Sequence, residues 1–262
     1  MHRWTVGTVE ITRIEDIDFA LPAEPALPDW TVPSVAPSPD EYRVAFSALG
    51  IADGDALIVA DPWLQAERSA PDAAERASRL LAELEAAGFP AGAVATVVNS
   101  HLDGMGWNTR SKGPDTVLSF PNAHYLYPAD EVDALAGGAL ITGHEDFAHL
   151  RTLTDVDAVG DQRSITPSVS VERAPGHSAG HQVVRIESGG DLAIYLGHLV
   201  LHPRQIAFPN EIQNESAALE ATTRTRYLDE LAQRRGLLLT TLVGGAGGGR
   251  VERDGDGYRL SA

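Results

Sequence analysis

The chain has 262 residues, enough for one large domain or two small ones with a buried core. Its 20 Lys and Arg against 37 Asp and Glu give a formal charge of −17, which repels phosphate backbones and anionic lipid, so neither nucleic acid nor membrane is expected as a partner. Cysteine is absent, which excludes disulfides, thiolate metal sites and cysteine nucleophiles.

In chain order, Met1 to Val6 lacks the apolar core of a signal peptide, and no apolar run reaches the roughly 18 residues of a membrane span, so a cytoplasmic protein is expected. The loose alternation of Val6, Val9, Ile11, Ile14 and Ile17 predicts one or two strands. Residues 21–40 are proline-rich and read as a loop. Tyr42 to Leu49 and Ala56 to Ala60 read as paired strands turning at Ala52-Asp53-Gly54-Asp55. Asp72 to Ala87 is a helix with Ala77, Leu80, Leu81 and Leu84 on one face and Gly88 at its end.

Val94 to Asn99 and Asn122 to Tyr127 read as strands. A helix over Ala129 to Leu135 and a helical stretch over residues 144–154 follow. Strands return at Val169 to Glu172, Gln182 to Glu187 and Asp191 to Leu196, the last two joined by Ser188-Gly189-Gly190. Ser216 to Arg235 is a second strong helix, with Tyr227, Leu228 and Leu231 on one face and Gly236 at its end. Leu237 to Val243 reads as a strand, and Arg250 to Leu260 as a hairpin around Asp254-Gly255-Asp256-Gly257. Both halves mix strands and helices with no linker between them. A single domain over 1–262 is expected, in which two sheets pack together and helices flank them.

Nine histidines direct attention to His101-Leu102-Asp103, His177-Ser178-Ala179-Gly180-His181, His198 and His202. Each follows a predicted strand or lies in a turn after one, where layered folds present their ligands. Imidazole is the commonest metal ligand, and a nearby carboxylate suits a divalent ion. His124 lies in a predicted strand and reads as structural, and His144 and His149 read as solvent-facing. A Ser100-His101-Asp103 triad carries little weight, because neighbours so close in sequence rarely assemble one.

The run Val97-Val98-Asn99-Ser100-His101-Leu102-Asp103-Gly104-Met105-Gly106-Trp107-Asn108-Thr109 resembles the main metal motif of the metallo-β-lactamase fold superfamily, in its lactonase and methyl-parathion-hydrolase-like branch. Ala174-Pro175-Gly176-His177-Ser178-Ala179-Gly180-His181, Leu196-Gly197-His198-Leu199-Val200-Leu201-His202-Pro203 and Ile58-Val59-Ala60-Asp61 continue the resemblance in order over most of the chain. It implies an αββα sandwich with the site at one edge between the sheets.

The departures from the family pattern bear on the chemistry. The family loop carries three histidines and an aspartate, whereas this one is two residues shorter between Leu102 and Asp103 and has Gly104 in the last histidine position. The bridging aspartate falls on His198 and the final histidine on Leu242. A pair of ions about 4 Å apart needs a bridging carboxylate, which neutral histidine cannot replace, so the dinuclear site is expected to be lost.

His101, Asp103, His177 and His198 are the candidate catalytic residues, and Asp61, Met105, Trp107, His181 and His202 the candidate pocket. His181 is read as support for its turn. The favoured reading is an enzyme acting on a small organic molecule by metal-free acid–base chemistry of the lyase, cyclase or isomerase type, in a specialised metabolic pathway and with no cofactor. One alternative is a hydrolase of a lactone or ester with one zinc or iron ion on His101, His177 and His198, Asp103 assisting. The other is a non-catalytic ligand-binding or structural pseudoenzyme. A homodimer is compatible with each.

Overall fold

The computed structural model describes residues 1–20, 43–62, 73–102, 108–112, 115–139, 144–210, 217–243 and 246–261. The proline-rich stretch 21–40 and the candidate residues Asp103, Met105 and Trp107 lie outside them.

Strands β1 (His2–Val6), β2 (Val9–Ala20), β3 (Arg43–Asp53) and β4 (Ala56–Ala60) form an antiparallel meander. Helix α1 (Ala73–Ala86) crosses over to β5 (Thr96–Val98), which pairs parallel with β4. A small hairpin, β6 (Thr109–Lys112) and β7 (Asp115–Leu118), precedes β8 (His124–Pro128), α2 (Ala129–Ala136), α3 (His144–Leu153) and β9 (Val156–Val159). β8 and β9 extend the parallel edge, giving a sheet ordered β1-β2-β3-β4-β5-β8-β9.

The second half repeats the plan. β10 (Gln162–Ser164), β11 (Val169–Arg173), β12 (Gln182–Ser188) and β13 (Asp191–Tyr195) form a second meander. After the short helix α4 (Arg204–Ala207), α5 (Ala218–Arg234) crosses to β14 (Leu237–Leu239), parallel to β13, and the hairpin β15 (Gly248–Asp254) and β16 (Gly257–Ser261) closes the sheet.

Strand alternation sorts the apolar side chains into three layers. Ile11, Leu49, Ile51, Ile58 and Val98 of the first sheet meet Val171, Val184, Ile186, Ala193 and Leu239 of the second. Leu80 and Leu84 of α1 and Phe147 and Leu150 of α3 cover the outer face of the first sheet against Val59, Val97 and Tyr125. Tyr227, Leu228 and Leu231 of α5 cover the outer face of the second against Val183, Ile194 and Leu238. The result is the αββα sandwich implied by the resemblance. No helix among the described residues is long and apolar enough to cross a membrane.

Two local expectations need correction. The left-handed residue ending α5 is Arg235, at φ 49°, and not Gly236. Gly236 sits close under the helix, where a Cβ would stand 2.7 Å from Leu231 Cδ2 and 3.2 Å from Leu192 O. The strand expected over Leu237 to Val243 ends at Leu239, because the chain then turns to bond elsewhere. Thr240 N–H donates to Gly247 O, and Thr241 and Ser47 exchange hydroxyl-to-carbonyl bonds of 2.7 and 2.9 Å. His124 lies in a strand as expected, opening β8 with its side chain exposed. The short strands β6, β7, β9 and β10 have only three or four residues each, too few for alternation to mark them in the sequence.

Candidate metal centre at the sheet edge

Four chain segments end at the same edge of the sandwich. Asp61 follows β4 at φ 44° and donates its own N–H to Val98 O at 2.8 Å. Its carboxylate accepts the Ser100 N–H at 2.7 Å, the Ser100 hydroxyl at 2.6 Å and the Tyr195 hydroxyl at 2.7 Å. Burial, and then the Asp61 charge, push the Tyr195 hydroxyl well above its ordinary pKa, so it remains a donor.

Ser100 passes this order to His101. Its Oγ lies 2.8 Å from His101 Nδ1. A carboxylate only accepts, so the serine proton is committed to Asp61, and Oγ must accept the proton of His101 Nδ1. That assigns His101 the Nδ1–H tautomer and leaves Nε2 with its lone pair. Asp61 thus orients a histidine through a serine, as outer-shell carboxylates orient metal-binding imidazoles. Ser100 is 1% exposed and bound in this way, which removes it as a nucleophile.

The second sheet supplies the other imidazoles. His177 lies in the turn between β11 and β12, with Gly176 N–H donating to Ser178 O across the turn. His198 lies on a single 3-10 turn, Gly197–Leu199, after β13. Its Nδ1 stands 3.3 Å from His177 Nε2, and its backbone N–H donates to His181 Nε2, also at 3.3 Å. Helix α5 holds both segments, Thr223 through Pro175 O at 2.6 Å and Arg224 through Leu199 O at 3.1 Å.

The ring centroids of His101, His177 and His198 lie 4.3 to 4.9 Å apart. One nitrogen from each falls within 4.8 Å of the other two, and no other such group of His, Asp or Glu occurs among the described residues. Three imidazoles so close cannot all be protonated. Their neutral forms are the ligand forms. Two nitrogens held tetrahedrally by one zinc are about 3.3 Å apart, the separation found between His177 and His198. That pair has the spacing of a zinc site, and the third nitrogen lies within 4.8 Å of both, so by chemistry the donor set fits one zinc-like ion.

The remaining candidates divide. His181 is fully buried 5.3 Å from His101, ring to ring, and burial followed by the neighbouring imidazoles keeps it neutral. It supports His198 from behind. His202 stands outside the cluster, its Nδ1 accepting the Arg204 N–H at 3.0 Å. Two contributors went unnoticed in the sequence. Tyr195 is recognisable only as the last inward residue of β13. Glu131 touches Leu102 and Ser178 from 29 and 47 residues away, a separation that leaves no sequence signal.

Gly197 admits only glycine. Its φ is +51°, and a Cβ would stand 2.9 Å from Ser100 Oγ and 3.0 Å from His181 Nε2. Gly197→Ala is expected to destabilise the fold by about 3 kcal/mol, from left-handed strain plus collision with the site. Thermal denaturation reads this as a fall of several degrees, and an unchanged midpoint would contradict it.

Acid should weaken the fold. Burial, and then Arg204, hold His202 down to about 4, against 6.5 for the free side chain. As pH falls below 6.5 the unfolded chain binds a proton that the folded chain refuses, so this stability is present above 6.5 and is lost toward pH 4. Allowing for solvent screening, the loss is about 1–2 kcal/mol. Urea midpoints of metal-free protein at pH 7.5 and 5 measure it. His202→Asn keeps an acceptor for Arg204 without titrating, and an equally steep pH dependence in that variant would refute the assignment.

No family model matches the chain, and no curated protein matches it. Solved structures do. AidC, described as a dizinc quorum-quenching lactonase in complex with an N-hexanoyl-homoserine product, aligns at a TM-score of 0.73 and 17% identity over 99% of this chain and 96% of its own. AbOPH, a hydrolase of the β-lactamase superfamily, aligns at 0.73 and 16% over 99% and 96%. A probable metal-dependent hydrolase from Staphylococcus aureus aligns at 0.72 and 14% over 98% and 99%. The chain has the metallo-β-lactamase fold.

Proposed function

We propose that the protein is a hydrolase of a small lactone or ester that works with one divalent ion held by His101, His177 and His198. The observation that carries this reading is the convergence of three imidazole nitrogens within 4.8 Å at the sheet edge. Among the similar structures, AidC is a lactonase and AbOPH a hydrolase, which favours hydrolysis over the metal-free lyase, cyclase or isomerase chemistry favoured from the sequence. When bound, such an ion polarises a carbonyl and lowers the pKa of a bound water.

The chain's own groups prepare that site. Asp61 and Ser100 fix the His101 tautomer and aim its Nε2. Neutral His181 fixes the backbone of His198. Buried Leu196, Leu199 and Val200, on either side of His198 in sequence, pack into the apolar layer under α5 and anchor its segment.

Elemental analysis of protein purified without affinity-tag metal tests the reading, followed by a hydrolysis screen of lactones and esters. About one zinc, iron or manganese ion per chain is expected, with turnover lost on chelation and restored by the same metal. Less than about a tenth of an equivalent after dialysis against each metal would overturn it.

A further inference from the structure

Glu131 lies in the first turn of α2 and is 4% exposed. One carboxylate oxygen accepts the N–H of Leu102, the residue after His101. The other accepts the hydroxyl of Ser178, the residue after His177. These two partners follow strands of different sheets. Gly180 packs against the same side chain, where a Cβ would stand 2.9 Å from Glu131 Cγ. Beside it, Asp130 accepts from Arg173 Nε at 2.8 Å, and Arg173 donates to Ala179 O at 3.1 Å, so two adjacent acidic residues of α2 grip one turn. A buried carboxylate is unfavourable unless donors and dipoles compensate it. Here two hydrogen bonds to the anion and the N-terminal end of α2 do so.

We propose that Glu131 is a positioning residue that sets the distance between His101 and His177 by holding the residue that follows each. The proposal rests on the single-ion reading for its consequence in metal binding, and on the hydrogen bonds alone for its consequence in geometry. Glu131 reaches the imidazoles only through Leu102 and Ser178. Losing it frees the His101 segment and the His177 turn from one another. Losing Ser178 alone frees only the His177 turn.

The test uses the full chain as wild type, Glu131→Ala, Glu131→Gln and Ser178→Ala. Cobalt(II) titration, followed by heat and by visible absorption, reads affinity and ligand geometry. The contact between the His101 and His177 rings, read by NMR in metal-free protein with labelled histidine, reports positioning without any ion. Glu131→Ala is expected to weaken cobalt binding about 10- to 100-fold, alter the absorption bands and erase the ring contact. Glu131→Gln still accepts from Leu102 and donates to Ser178, so it is expected to restore all three. Ser178→Ala is expected to weaken binding by a smaller factor.

A Glu131→Ala protein with wild-type affinity, spectrum and ring contact would overturn the proposal. If Glu131→Ala does not fold, wild-type affinity and ring contact in Ser178→Ala overturn it instead. If the wild type binds no cobalt, the single-ion reading fails. The positioning role is then decided by whether the ring contact depends on Glu131.

Discussion

Replacing His198 by alanine is expected to reduce zinc affinity about 100-fold or more and to abolish hydrolysis of any lactone or ester the wild type accepts. A four-ligand zinc site is worth about 10–16 kcal/mol at neutral pH, so one protein ligand contributes roughly 3 kcal/mol, and a factor of 100 corresponds to 2.8 kcal/mol. His198 is the informative position because the sequence resemblance sets it at the family's bridging aspartate. With Nδ1 3.3 Å from His177 Nε2, it can serve one ion, and neutral imidazole cannot bridge two. Its backbone N–H, which bonds to His181, survives the substitution, so the fold should persist. Zinc titration of the variant beside wild type reads the effect. Full zinc binding and turnover in His198→Ala would remove the three-histidine model.

Asp61→Asn should cost about 10- to 100-fold in metal affinity, although the substitution barely changes shape. The reason is a proton. The asparagine nitrogen donates to Ser100 Oγ, which then turns its own hydrogen toward His101 Nδ1. His101 must carry its proton on Nε2, the nitrogen whose lone pair the wild-type tautomer directs toward the ion. Nitrogen-15 shifts of the His101 ring in metal-free protein distinguish the two tautomers. Nδ1–H is expected in wild type and Nε2–H in Asp61→Asn. An unchanged Nδ1–H signal would show that Ser100 does not transmit the identity of residue 61.

The αββα plan was legible because long segments carry strong signals. The apolar face of α1, the inward Ala193 and Tyr195 of β13, and the glycine turns after β12 agree with one another. Polar short strands such as Gln162–Ser164 gave no such signal, since their place is set by the neighbour they pair with. The histidines were visible as residue types, but their assembly depends on loops of two sheets meeting in space. The network beneath them was hidden for the same reason. Ser100 was weighed only as a nucleophile, whereas the structure commits its hydroxyl to Asp61. Glu131 looked like any acidic residue of a helix N-terminus.

His101 follows a strand of the first sheet, whereas His177 and His198 follow strands of the second. Neither half of the chain holds all three imidazoles of the cluster, so a fragment ending near residue 160 lacks two of the three site ligands however well it folds. Ion binding would then be thermodynamically linked to the docking of one sheet on the other, and a ligand present at 100 times its dissociation constant adds about 2.7 kcal/mol to that docking. Zinc would act as a clasp on the open edge of the sandwich. Its removal should register first as faster amide exchange along that edge, before any change in the core between the sheets.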